Sequence, residues 1–232
     1  MMWLDHFLKG VDNGIERTPK VEYYTLGENK WKTADSWPPE NGKVTHIKLK
    51  GERDSYIYDP DNPATHIVDM SENELEVPED YTEEEKRDDF LLYTSEPFAK
   101  PVTVTGDMTA HLFVSCDFPD TDFVFRMTDV DEKGKSVKLA DGVLDAKYRN
   151  GFESPQYMEP GKVYEIAIRT TKISNTFLPG HRMRFTVTSG AKNFIFPNSN
   201  TKDGFNSKEK QKATVTIHQE GEYQSYVEVI MY

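Results

Sequence analysis

Four carboxylates at short spacing raise the first question of chemistry. Asp120 and Asp122 stand two residues apart, and so do Asp129 and Asp131, which precede Gly134. Acids two apart before a glycine open a calcium loop, which also needs a glutamate at its twelfth position. Counted from Asp129, that position is Ala140. The spacing therefore predicts a hairpin turn. No metal is assigned, and Asp120, Asp122, Asp129 and Asp131 stand as bare calcium candidates. A serine nucleophile of the α/β-hydrolase kind sits in a G-x-S-x-G elbow between a strand and a helix, and no serine here has that context. Ser189 and His181 are eight residues apart on one strand, which separates them by roughly 26 Å at about 3.3 Å per residue. The histidines His6, His46, His66, His111, His181 and His218 lack zinc-ligand spacing. The one cysteine, Cys116, falls on an apolar strand face and reads as a packing thiol. No catalytic residue and no cofactor is assigned. His181 and Arg182 open a core strand, and Arg182 is expected to pair with Asp120 or Asp122 as a structural motif.

The elements that must position these residues are strands. Met108, Ala110, Leu112, Val114 and Cys116 alternate with more polar residues, as do Phe123, Phe125 and Met127, and then Leu144, Ala146 and Tyr148. Successive strand side chains point to opposite faces, so each run supplies one apolar face. Turn residues separate the runs at 117–122, 131–134 and 140–142. Further strands are predicted at 19–25, 44–49, 164–168, 181–189, 213–218 and 226–231. Trp3, Leu4, Phe7, Leu8 and Val11 have helical spacing, and Asp12, Asn13 and Gly14 are expected to end that helix. Many short strands with one short helix predict an all-β sandwich, and about eight core strands suit a jelly roll.

The chain has 232 residues and a formal net charge of −12. That balance excludes a basic phosphate-binding footprint, so no nucleic acid is expected. Residues 69–89 hold most of the excess acid and read as a solvated loop. No apolar run approaches membrane-spanning length. The first residues interrupt their apolar run with charges, unlike a signal peptide, so a cytoplasmic chain is expected.

Several segments, in order, resemble the C-terminal β-domain of the X-Pro dipeptidyl-peptidase and cocaine-esterase (CocE/NonD) serine hydrolases. They are residues 87–98, 105–123 and 129–149; the pattern of Gly27, Asn29, Trp31, Trp37 and Pro38; the turn with Tyr56, Tyr58, Asp59, Pro60, Asn62 and Pro63; the strand with Phe177, Gly180, His181, Arg182, Arg184 and Ser189; and the loop with Pro197, Asn198, Asn200 and Thr201. The resemblance implies a galactose-binding-like jelly roll over 18–232, joined by a helix and linker at 1–17. It implies a non-catalytic domain that packs on an α/β-hydrolase catalytic domain, shapes its substrate cleft and helps set a homo-oligomer. Trp3, Phe7, Trp31 and Trp37 are the docking candidates. His6 is not the family's catalytic histidine, which lies upstream of this segment. Two departures stand out. The stretch after Pro63 turns acidic where relatives are glycine-rich and apolar, and Gly190 stands where relatives carry a second serine. The alternative is a free-standing carbohydrate- or protein-binding sandwich, with the acidic loop as a further contact surface.

Overall fold

A computed structural model describes residues 1–68 and 77–232. The core of the acidic loop therefore lies outside the described residues. Helix α1 spans Met2–Lys9, and fourteen strands follow: β1 Val21–Thr25, β2 Lys30–Ala34, β3 Lys43–Lys48, β4 Ser55–Tyr58, β5 Leu91–Thr94, β6 Val102–Gly106, β7 Thr109–Cys116, β8 Asp122–Val130, β9 Ser136–Asp145, β10 Tyr164–Arg169, β11 Ile173–Phe177, β12 Arg182–Thr188, β13 Ala213–His218 and β14 Tyr226–Met231. The larger sheet runs β11-β6-β14-β7-β13-β4, with β10 on β7 and β3 on β14. The smaller runs β5-β12-β8-β9. All pairings within both sheets are antiparallel. The sheets face one another across a single apolar core, giving the jelly-roll β-sandwich that the alternation predicts.

The core is built from alternate residues. β7 contributes Ala110, Leu112, Val114 and Cys116, β8 contributes Phe123, Phe125 and Met127, and β12 contributes Met183, Phe185 and Val187. Each large aliphatic or aromatic side chain removed from water contributes roughly 1.5–3 kcal/mol. β8 is also buried on its other face, with Val124, Arg126 and Thr128, and residues 79–90 cover Arg126 and Thr128 there. That cover is pinned to the edge strand β9: Tyr81 N–H donates to the Ser136 carbonyl at 2.8 Å, and Lys138 N–H to the Glu79 carbonyl at 2.9 Å.

Three sequence expectations are corrected. The residues 140–142 do not turn; they continue β9 past a bulge opposite Met127 and Thr128. Pairing with β8 outweighs the local Asp-Gly signal, and Gly142 admits the Arg169 carbonyl at 2.5 Å from where a Cβ would sit. The run Leu144, Ala146, Tyr148 is not one strand. β9 ends at Asp145, whose carboxylate accepts the Lys147 N–H at 3.3 Å and starts a 3-10 turn over Ala146–Tyr148. Helix α1 stops earlier than residue 12, because Gly10 adopts a left-handed conformation (φ 68°) and donates to the His6 carbonyl.

The β1-β2 hairpin sits beside the edge strand β11. Leu26 and Asn175 form a parallel bridge, and the Thr25 and Ser174 hydroxyls meet at 2.9 Å. A Cβ on Gly27 would stand 2.0 Å from the Thr176 carbonyl oxygen, so only glycine fits there.

Candidate docking surface

The apolar face of α1 is left uncovered. Trp3 is 59% exposed and Phe7 61%, and their rings stack at 5.3 Å. Leu4, Leu8 and Val11 are exposed beside them, and α1 buries no residue at all. Local polar contacts hold the segment in shape: Asn13 donates to the Met2 carbonyl at 2.8 Å, and the His6 ring lies 2.9 Å from the Val11 carbonyl. Trp31 is 67% exposed and packs edge-to-face on Tyr24. Trp37 differs from the other docking candidates. It is half-buried against Tyr23, and its indole nitrogen is enclosed.

Two adjoining loops carry a second exposed apolar group that the sequence reading missed. Phe196 and Phe205 stack at 5.2 Å, and Phe152 is more exposed than either. The Tyr157 hydroxyl donates to the Lys202 carbonyl at 3.0 Å and ties these loops together. The available signal was three phenylalanines in segments without strand periodicity.

Beneath those loops lies the Asp120–Asp122 pair. The Asn198 amide donates to both carboxylates, at 3.0 and 3.1 Å. Lys147 bonds Asp120 at 2.8 Å and Asp145 at 2.5 Å. One ammonium thus pairs with two carboxylates, and Asp122 beside them is bonded by the Asn198 amide. Burial, then the charge of Asp145, pushes the Asp122 carboxyl up to about 8, and burial lifts Asp120 to about 6. The cation here is Lys147.

Arg182 is elsewhere. It donates to the Ser95 carbonyl at 3.0 Å and approaches Glu96 at 3.9 Å, so the expected pairing with Asp120 or Asp122 does not form. β8 explains why. Asp122 opens that strand, while Arg182 pairs in register with Val130 at its far end, roughly 26 Å away at about 3.3 Å per residue. For the same reason Asp120 and Asp122 cannot share an ion with Asp129 and Asp131. Asp129 meets the His181 ring at 2.8 Å and accepts from Asn175 at 3.4 Å. Burial raises its carboxyl above the usual range. Asp131 closes the predicted hairpin turn by accepting the N–H groups of Lys133 and Lys135. His181 and Asp129 line one end of a groove of about 620 Å3 whose apolar wall includes Leu26, Val77, Val137 and Leu139.

No Ser-His-Asp arrangement forms among the described residues. Ser189 bonds the Tyr56 hydroxyl at 2.8 Å, inside the sandwich. Ser115 and His218 do meet across β7 and β13 at 3.0 Å, a contact the sequence reading missed. His218 has no carboxylate partner among the described residues, and Ser115 lies within the strand, one residue before its end, without an elbow. Gly190 has a packing reason: a Cβ there would stand 2.7 Å from the Ala64 nitrogen.

Residues 13–228 match the family profile of the X-Pro dipeptidyl-peptidase C-terminal non-catalytic domain. The chain is 31% identical to a cocaine esterase from Rhodococcus sp. (strain MB1 Bresler), over 97% of this chain and 44% of that protein. It superposes on an aminopeptidase from the marine sediment archaeon Thaumarchaeota archaeon with a TM-score of 0.86 at 26% identity, covering 99% of this chain and 43% of that one. An α-amino acid ester hydrolase aligns with a TM-score of 0.87 at 24% identity, covering 99% and 44%, which shows a shared fold. The chain thus spans less than half the length of these relatives.

Proposed function

The chain belongs to the family of X-Pro dipeptidyl-peptidase C-terminal non-catalytic domains, and we propose that it serves as the accessory domain of a CocE/NonD-type serine hydrolase, packing on an α/β catalytic domain and walling its substrate cleft. The observation that carries this reading is the uncovered apolar face of α1 with Trp3, Leu4, Phe7 and Leu8. An amphipathic helix in water without a covered face loses the burial that normally stabilises it. Docking on a catalytic domain supplies that burial, and Trp31 extends the same kind of surface on the hairpin. In this reading residues 1–17 form the connecting helix and linker, and 18–232 form the jelly roll. The whole enzyme cleaves an ester, amide or X-Pro bond with a triad outside this domain.

Two measurements test it. The purified chain is offered a chromogenic short-chain ester, an X-Pro anilide and a fluorophosphonate probe, and neither turnover nor labelling is expected. Labelling at Ser115 would show that the pair with His218 is a working nucleophile and would overturn the non-catalytic assignment. In a full-length hydrolase carrying this domain, Trp3→Ser with Phe7→Ser should lower kcat/KM and loosen the contact between domains, seen as faster proteolysis at their junction. Unchanged kinetics and proteolysis would remove α1 from the interface.

A further inference from the structure

The outer face of the smaller sheet holds a guanidinium that nothing in the described chain accepts. Arg126 is 1% exposed, and its Nε, Nη1 and Nη2 atoms have no hydrogen-bond partner among the described residues. The Tyr81 ring stacks on it, with the guanidinium carbon 3.9 Å from the ring centroid. Stacking offsets part of the desolvation of the cation but satisfies none of its five N–H donors.

The neighbouring strand shares the deficit. Thr186 is the register partner of Arg126, and the Thr186 and Thr188 hydroxyls are buried and also unpartnered among the described residues. Alternation puts all three side chains on one face, because Phe125, Phe185 and Val187 take the core face. Five polar atoms without partners therefore gather in one place, where buried polar groups are nearly always bonded.

The nearby carboxylates are already engaged. Asp141 faces the His66 ring at 3.4 Å and Lys138 at 3.2 Å. Glu79 pairs with Lys138 and accepts from the Tyr81 hydroxyl at 3.3 Å. Glu85 bonds Arg184 at 2.6 Å and accepts from Ser136 at 2.9 Å. Asp141 is also the register partner of Arg126, whose charge helps hold that carboxyl down, yet no hydrogen bond joins the two among the described residues. The missing species must accept several bonds and be small enough for a closed site. A water gives its protons to the threonine hydroxyls and accepts at most two bonds, whereas a monatomic anion accepts from the guanidinium and both hydroxyls at once.

We propose that the space beside Arg126, Thr186 and Thr188 is a buried site for a small monovalent anion of the halide class. The ion accepts from the guanidinium and the two hydroxyls and locks residues 79–90 over β8. A ligand held only by the folded state raises stability with its concentration.

The test uses the full chain. Crystals grown in sodium bromide, with data at the bromine edge, should show an anomalous peak within hydrogen-bond reach of the Arg126 guanidinium and a threonine hydroxyl. In parallel, the melting temperature in chloride should exceed that in gluconate at equal ionic strength. Arg126→Met, which needs no acceptor, should abolish that difference. If that variant does not fold, Thr186→Val with Thr188→Val keeps the guanidinium and should still shrink it. Water alone in that space, a protein carboxylate filling it, or a melting temperature indifferent to the anion would overturn the assignment.

Discussion

Asp122 and Arg126 lie four residues apart on one strand, yet they belong to buried clusters with opposite deficits. At the start of β8, Lys147 pairs with Asp120 and Asp145, and the group left without a cation of its own is the acid Asp122. In the middle of β8, the carboxylates bond Lys138, Arg184 and His66, and the group left without a hydrogen bond among the described residues is a cation. An unmatched buried acid has a direct remedy, because binding a proton neutralises it, and Asp122 accordingly titrates near 8. A guanidinium has no such remedy at any physiological pH and needs an acceptor supplied from outside. The sign of the leftover charge thus decides whether a cluster is sensitive to protons or to anions.

The comparison breaks most visibly at Lys147. Lys147→Met removes the one cation of the carboxylate cluster and leaves Asp120 buried beside Asp122 and Asp145. The expected loss is about 3–5 kcal/mol, read by denaturant unfolding at pH 7. A loss below about 1 kcal/mol would mean that Asp120 and Asp145 are protonated or solvated as well. Asp122→Asn sharpens the same point with pH. The folded state holds the Asp122 proton more tightly than the unfolded chain, whose aspartates titrate near 4, so its contribution is complete below about pH 4 and is lost as pH rises to about 8. The asparagine variant mimics the protonated acid. It should match the parent near pH 4 and exceed it by about 1–3 kcal/mol at pH 9, and parallel pH profiles for the two proteins would refute the raised Asp122. The smallest effect is expected at Arg182, outside both clusters. Its bond to the Ser95 carbonyl is partly exposed, so Arg182→Ala should cost about 0.5–1 kcal/mol and leave the pH profile unaltered. A loss several times larger would restore Arg182 as a structural ion-pair residue.

Much of the fold was legible because a sandwich core needs alternation and little else. Met108 to Cys116, Phe123 to Met127 and Met183 to Val187 declared their faces by period two, and the structure buries those faces. The outer face of β8 was less legible. Arg126 and Thr128 fall on the more polar face of the run, and nothing local says that residues 79–90 fold back over them. The candidate sites were legible in kind and not in partnership. Asp120, Asp122, His181 and Arg182 were read as one motif and Asp129 with Asp131 as calcium candidates, whereas the structure pairs His181 with Asp129 and sets Arg182 at the other end of β8 from Asp122. Lys147 and Asn198 reach Asp120 only through long-range closure, 27 and 78 residues away in sequence.

The sequence alone determined the class of fold, the strands that face the core, the absence of a serine elbow and the ordered motifs that mark the family. Those properties are local, set by side-chain alternation, turn chemistry and short runs of residues. Only the tertiary structure decided which charges meet, which are left over, and that the α1 face stays uncovered while β8 is buried on both sides. Those outcomes depend on which distant segments pack together, and hydrogen bonds a few ångströms long between residues far apart in sequence follow from that packing.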